Sequence, residues 1–237
     1  MSIVSPILGV IAVVTAKNKV FARVFSYALV QICVGLVFYV LQVYKGKRFF
    51  DKGYWKFALA FNLPLIPHYL SQNILGQADR IMIGNMVGNS KAAIYSVAYT
   101  VASIMTLMIN AINSSFIPSM YQNLDEKKYD KIEKGRFPLC IIIAVAVCGV
   151  MLIGPEVIGI LASKEYAEAI YCIPPVAASI YFTYLYTLFI NVEFYFEKTK
   201  YSMIVSVLGA ILNIFLNYLL IPKFGYIAAG YTTLVCY

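Results

Sequence analysis

Charged residues divide this chain into long uncharged runs. Residues 24–44, 57–78, 92–124, 137–155, 169–192 and 201–222 contain no Asp, Glu, Lys or Arg, and two further runs, 1–16 and 224–237, lie at the chain ends. A hydrocarbon core of about 30 Å takes roughly 20 helical residues, so each interior run is long enough to cross it. The pattern predicts an all-α polytopic membrane protein, a helical bundle with about six complete spanning helices and two truncated ones. The last run stops at Tyr237 without a polar cap, which reads as a segment of a longer chain.

Polar residues inside these runs are not scattered. In 92–124, Ser96, Tyr99, Ser103, Thr106, Asn110 and Asn113 recur every three or four positions, forming one line down a helix. Ser202, Ser206, Gly209, Asn213 and Asn217 do the same in 201–222, and Thr183, Tyr184, Thr187 and Asn191 do so less regularly in 169–192. Such stripes either hold helices together or line a water-filled cavity. Two parallel stripes with a charged pair nearby favour the cavity.

That pair is Asp79 and Arg80, in the stretch NILGQADRIMIGNMVG. Plotted as a helix, Asn62, Tyr69, Asn73, Gly76, Arg80 and Gly84 share one face, with His68, Gln72 and Asp79 about a quarter turn away. Pro64 and Pro67 remove backbone donors and predict a kink, a common device of cavity-lining helices. From Lys56 to Asp79 is roughly 35 Å of straight helix, so the pair sits toward the outer end of the run, and Arg80 either snorkels to the interface or faces the cavity.

Composition agrees. Of 237 residues, 61% are hydrophobic and only 13% charged, and mean hydropathy is +0.77, whereas soluble domains run to about 25% charged. The opening residues carry no basic stretch and no small-residue cleavage site, so they read as the remnant of a spanning helix rather than as a signal peptide. The five cysteines, Cys33, Cys140, Cys148, Cys172 and Cys236, fall inside apolar runs without a CxxC and read as small hydrophobes rather than metal ligands. The net charge of +8 is a topology signal. Lys45, Lys47, Arg48, Lys52, Lys56, Lys127, Lys128, Lys131, Lys134, Arg136, Lys198 and Lys200 belong to one set of alternate loops; Lys17, Lys19, Arg23, Arg80, Lys91, Lys164 and Lys223 belong to the other. The richer set faces the cytoplasm, placing loops 45–56, 118–136 and 193–200 there, in a multi-pass protein of the cell membrane with lipid headgroups as partners. Loop 45–56, with interfacial Tyr54 and Trp55, reads as a joint between two bundles. Loop 118–136, with Met120, Leu124, Tyr129 and Ile132 near helical spacing, reads as a short amphipathic surface helix or a solvated connector. One histidine and no nucleotide, zinc or nucleophile-elbow signature argue against an enzyme and against nucleic-acid binding.

The stretch LPLIPHYLSQNILGQADRIMIGNMVGNSKAAIYSVAYTVASIMTLMINAINSSFIPSMYQ, followed by LNIFLNYLLIPKFGYIAAGYTTL, resembles the polysaccharide-biosynthesis flippases of the multidrug/oligosaccharidyl-lipid/polysaccharide exporter superfamily. The resemblance rests on the acid before MIG and a later glycine, on IYSVAY, and on Asn213 and Asn217 ahead of Ile221, Pro222, Gly225 and Gly230. It implies a two-lobed bundle of about twelve to fourteen helices: residues 1–44 would close the first lobe, 45–56 would be the cytoplasmic inter-lobe linker, and 57–237 the second lobe, cut short at its C-terminus. It also implies a flippase that moves a polyprenyl-pyrophosphate-linked oligosaccharide outward by alternating access, with the first lobe and a polysaccharide polymerase as partners. Arg80 would then meet the phosphate or a sugar acid, and Asn73, Tyr99, Asn110, Asn113, Asn213 and Asn217 would line the cavity. Asp79 would orient Arg80, bind a coupling cation or cap a neighbouring helix. Pro64, Pro67, Gly76, Gly84, Gly88, Pro222 and Gly225 would serve packing and hinges. A drug or organic-cation antiporter of the same superfamily and a non-transporting scaffold or inactive fragment are the alternatives.

Overall fold

A computed structural model describes residues 4–15, 18–46 and 51–237 of the protein. Within them every uncharged run carries a helix: α1 (Val4–Thr15), α2 (Lys19–Gly46), α3 (Lys52–Asn62), α4 (Leu65–Met86), α5 (Asn89–Asp125), α6 (Tyr129–Leu161), α7 (Ile173–Tyr195), α8 (Thr199–Phe224) and α9 (Ile227–Cys236), with a 3-10 helix at Lys164–Cys172. Five stretches are long and apolar enough to cross a membrane: Phe21–Gly46, Asn89–Asp125, Tyr129–Ile160, Lys164–Tyr195 and Thr199–Phe224. The remaining interior run, 57–78, departs from expectation. It does not kink but breaks, at Leu63 and Pro64, into α3 and α4. Pro64 caps the new helix and Pro67 falls in its first turn, where a missing N–H costs nothing. The polar residues of α4 keep it out of the set of apolar spans.

The chain divides into two units, one up to Ala58 and one from Leu59 to Tyr237. In the first, α1 packs on α2, whose start is capped by Asn18 Oδ1 accepting from the Phe21 N–H at 3.2 Å. Lys17, Lys47 and Arg48, counted above among the loop charges, lie outside the described residues, as does much of the joint at 45–56.

The second unit is built on two helix pairings. The seam between α4 and α8 is the most extensive, and α5 packs against both α6 and α7, with α9 closing over α7 and α8. The apolar core belongs to α5, α6 and α7, where Ala98, Ala102, Ile143, Ile173, Val176 and Ala177 are fully buried. Small residues let these helices approach closely, as membrane bundles require in place of a hydrophobic driving force. The connections are tight. Between α4 and α5 only Val87 and Gly88 intervene, and Gly88 adopts φ +126, a conformation L side chains rarely adopt. The 118–136 segment holds no separate amphipathic helix. Instead α5 runs straight to Asp125 and α6 begins at Tyr129, so Met120 and Leu124 are buried against their own bundle and Tyr129 is exposed. Lys127, at φ 55, makes this turn, and Lys128 N–H closes it on the Asn123 carbonyl at 2.8 Å. The turn after α7 repeats the device: Glu197 sits at φ 57 and Lys198 N–H bonds the Glu193 carbonyl at 2.9 Å.

Candidate functional site

Asp79 is 2% exposed, and three helices other than its own aim protons at it. Tyr95 Oη of α5 and Thr233 Oγ1 of α9 each donate to Oδ2 at 2.6 Å, and Asn217 Nδ2 of α8 donates to Oδ1 at 2.7 Å. A second layer fixes these donors. Asn213 Nδ2 donates to Thr233 Oγ1 at 3.0 Å, Asn213 Oδ1 accepts from Asn217 Nδ2 at 3.2 Å, and Asn217 Oδ1 accepts from Thr232. Asp79 lies seven residues before the end of α4 and Asn217 seven before the end of α8, so the cluster sits about 10 Å below those helix ends. A buried carboxylate persists only where its lone pairs are satisfied, and here α4, α5, α8 and α9 together satisfy them.

Arg80 points elsewhere, because adjacent side chains on a helix diverge by about 100°. Half-buried, its guanidinium lies 4.4 Å over the Tyr99 ring, Nη1 donates to Gln77 Oε1 at 3.2 Å, and Nε has no partner. Gly76 faces Tyr99, but a Cβ there would lie in ordinary contact, 3.9 Å from the hydroxyl, so the approach does not require glycine. One turn along α4, Asn73 is exposed and bonds back to the Tyr69 carbonyl at 2.9 Å; three turns along α5, Asn110 is exposed. Thr106 is exposed and Ser103 half-buried between them. These side chains form an open polar face on α4 and α5.

The residues expected to form one cavity wall therefore separate. Arg80, Tyr99, Asn73 and Asn110 remain on the open face. Asn213 and Asn217, expected on the wall, are 0% exposed and committed to Asp79 and the threonines, so the α8 stripe is a helix seam. Asn113 is buried apart from both, its Oδ1 without a partner. Asp79 does not orient Arg80. Among the hinge residues, Gly88 and Gly225 (φ +73) sit at helix junctions, Pro222 lies in the last turn of α8, and Gly84 admits Asn89, whose Oδ1 would be 3.2 Å from a Cβ. Tyr95, Thr232 and Thr233 fall outside the polar stripes; the signal they carry in the sequence is a hydroxyl one turn from Tyr99 and a polar pair in an otherwise apolar final run.

A second polar cluster occupies the other half of the α4–α8 seam. His68, 4% exposed, places Nδ1 2.5 Å from Ser206 Oγ, which also meets Tyr186 Oη at 2.6 Å. Leu75 packs between the two clusters, with its Cδ1 3.9 Å from a Cβ built at Gly209. Between the start of α5, the 3-10 helix and the start of α9, Glu168 receives Lys91 Nζ at 2.5 Å and Tyr226 Oη at 2.8 Å.

The family profile described as "Polysaccharide biosynthesis protein" matches residues 1–124, and the profile "MatE" matches residues 64–219. The chain belongs to the polysaccharide biosynthesis protein family, within the multidrug/oligosaccharidyl-lipid/polysaccharide exporter superfamily. Members similar to it include the Lsg locus putative protein 1 of Haemophilus influenzae, 26% identical over 160 residues, covering 67% of this chain and 40% of that protein. The uncharacterized membrane protein MJ1068 of Methanocaldococcus jannaschii is 28% identical over 200 residues, 81% of this chain and 39% of that one. The probable low-salt glycan biosynthesis flippase Agl15 of Haloferax volcanii is 23% identical over 159 residues, 65% of this chain and 34% of that one. The chain spans between about a third and a half of the length of the curated relatives it matches. No solved structure matches it.

Proposed function

We propose that this member of the family serves a flippase that carries a polyprenyl-pyrophosphate-linked oligosaccharide across the cell membrane by alternating access, for surface polysaccharide biosynthesis. The observation that carries the reading is the open face of α4 and α5, where Arg80 over Tyr99 continues into Ser103, Thr106, Asn110 and Asn73. Polar groups exposed at membrane depth face water or protein rather than lipid. A diphosphate wants a cation with free donors, and a sugar wants amides, hydroxyls and aromatic faces; this face offers both. The relative whose printed name is a glycan biosynthesis flippase supports the same reading. A first lobe facing this one, a polymerase taking the product and a coupling cation belong to the proposal. An organic-cation antiporter fits less well, since Asp79, the one fully buried carboxylate among the described residues, is occupied by internal donors and the open face presents a cation.

The test is Arg80→Ala in the protein expressed in its host, reading surface polysaccharide against membrane levels of the protein. A charged hydrogen bond to phosphate is worth about 1.5–3 kcal/mol, or roughly a tenfold to hundredfold loss of export, with partial recovery in Arg80→Lys. Unchanged export at normal protein levels would refute the assignment.

A further inference from the structure

We propose that His68 is a proton-binding site, its imidazole locked as the Nδ1–H tautomer against Ser206 with Nε2 left to take the proton, in a cluster that joins α4, α7 and α8. The argument is an accounting of one hydroxyl. Ser206 has one proton and two lone pairs. It lies 2.5 Å from the Ser202 carbonyl oxygen, 2.5 Å from His68 Nδ1 and 2.6 Å from Tyr186 Oη. A carbonyl only accepts, so the Ser206 proton goes to Ser202. Both lone pairs must then take donors, which are the Tyr186 O–H and the His68 Nδ1–H. The ring is thereby held in the tautomer opposite to the one imidazole prefers in water, because the bond made by one nitrogen decides what the other carries. Adding a proton at Nε2 breaks none of these bonds.

Burial of the ring opposes the charged form, and two contacts favour it, the Ser202 carbonyl and the Glu193 carboxylate. The hydroxyl of the same Ser202 donates to Glu193 Oε2, which holds that carboxylate near the cluster, where its charge favours positive charge on the histidine. Glu193, on α7, is the charged side chain acting on His68. The other groups around the ring are neutral: Tyr69 of α4 with its centroid at 5.0 Å, Tyr186 and Phe194 of α7 at 6.5 Å, and Ser202 and Ser206 of α8. The carbonyl of Ser202 cannot pass a proton on, so the chain holds charge rather than conducting it.

His68 stands twelve residues from Arg80 along α4, about 18 Å, so the site is separate from the open face. A proton there tightens α4 against the Ser202–Glu193 arm of α8 and α7. If export runs by alternating access as proposed above, proton occupancy of His68 biases which arrangement is populated; the binding site itself does not rest on that reading.

His68 is the single histidine of the chain. The full chain, purified through a tag without histidine and labelled with nitrogen-15 histidine, therefore reports one imidazole. The expected result is a neutral Nδ1–H ring at high pH that converts reversibly to imidazolium as pH falls, with Ser206→Ala releasing the neutral ring to the Nε2–H tautomer. A wild-type ring that is Nε2–H, or that stays neutral at every pH at which the protein is folded, overturns the proposal, and both are read without any variant. In an export assay, His68→Gln should flatten the pH dependence whereas Arg80→Ala lowers export at every pH. An inert Arg80→Ala beside an intact imidazole titration would sink the transport reading and leave the proton site standing.

Discussion

Replacing Asp79 with asparagine keeps the shape of the side chain and removes one acceptor. The carboxylate now takes Asn217 Nδ2 on one oxygen and the Tyr95 and Thr233 hydroxyls on the other. If the new amide oxygen faces the two hydroxyls, the new NH2 confronts the Asn217 NH2 at the position of a 2.7 Å bond. If it faces Asn217, the NH2 confronts Thr233, whose oxygen already accepts from Asn213. Either way one buried donor is orphaned. Interhelical hydrogen bonds in membranes average about 0.6 kcal/mol, which sets a floor of roughly 2 kcal/mol for losing all three bonds. An orphaned buried donor costs about 1–3 kcal/mol. Asp79→Asn should therefore lose about 1–3 kcal/mol, and Asp79→Ala, which orphans all three donors, about 2–4 kcal/mol. The assay is unfolding by dodecyl sulfate titration from mixed micelles, with Tyr95→Phe in a double-mutant cycle. A loss for Asp79→Ala below about 0.5 kcal/mol, the range of inconsequential surface changes, would refute the claim that this network holds four helices together.

Gly230→Ala places a Cβ 3.0 Å from Pro175 Cγ, a rigid ring that cannot move aside; the α7–α9 contact should open at a cost of about 1–3 kcal/mol, measured by the same titration. Gly88→Ala forces an L side chain into φ +126 at the two-residue elbow between α4 and α5, and a destabilisation of about 1–3 kcal/mol is expected, with a normal helix content by circular dichroism. At the turn between α5 and α6, the hydrogen bond from Lys128, with a second from Gln122, holds Glu126 below the usual carboxylate range. A depressed folded-state value means the contribution is present above the unfolded value and is lost as pH falls through the folded one. The stability difference between wild type and Glu126→Gln should be small at neutral pH and vanish in acid; a difference that grows on acidification contradicts the assignment.

Helix existence was legible because the bilayer demands it: an uncharged run long enough to cross can satisfy its backbone only as a helix, and all eight runs carry one. The break at Leu63 was half legible. Two prolines announced a disturbance, but whether it kinks or ends the helix depends on what takes up the freed carbonyls. The 118–136 segment misled because helical spacing does not say whether the apolar side of Met120 and Leu124 meets lipid headgroups or the bundle's own interior. Spacing showed the polar stripes with equal clarity on α5 and α8, and it could not tell a wall from a seam.

The sequence by itself determined that this is a bundle of membrane helices, which loops carry the basic charge, and that Asp79 and Arg80 diverge, since these follow from helix periodicity and the cost of charge in lipid. Only the tertiary structure decided that Asn213, Asn217, Tyr95 and Thr233 converge on Asp79, that Ser206 lies against His68 Nδ1, and that Arg80 with Tyr99 is left on the open face. Those outcomes depend on which helix lies against which, and a side chain 138 residues away in sequence, as Asn217 is from Asp79, leaves no mark in local spacing.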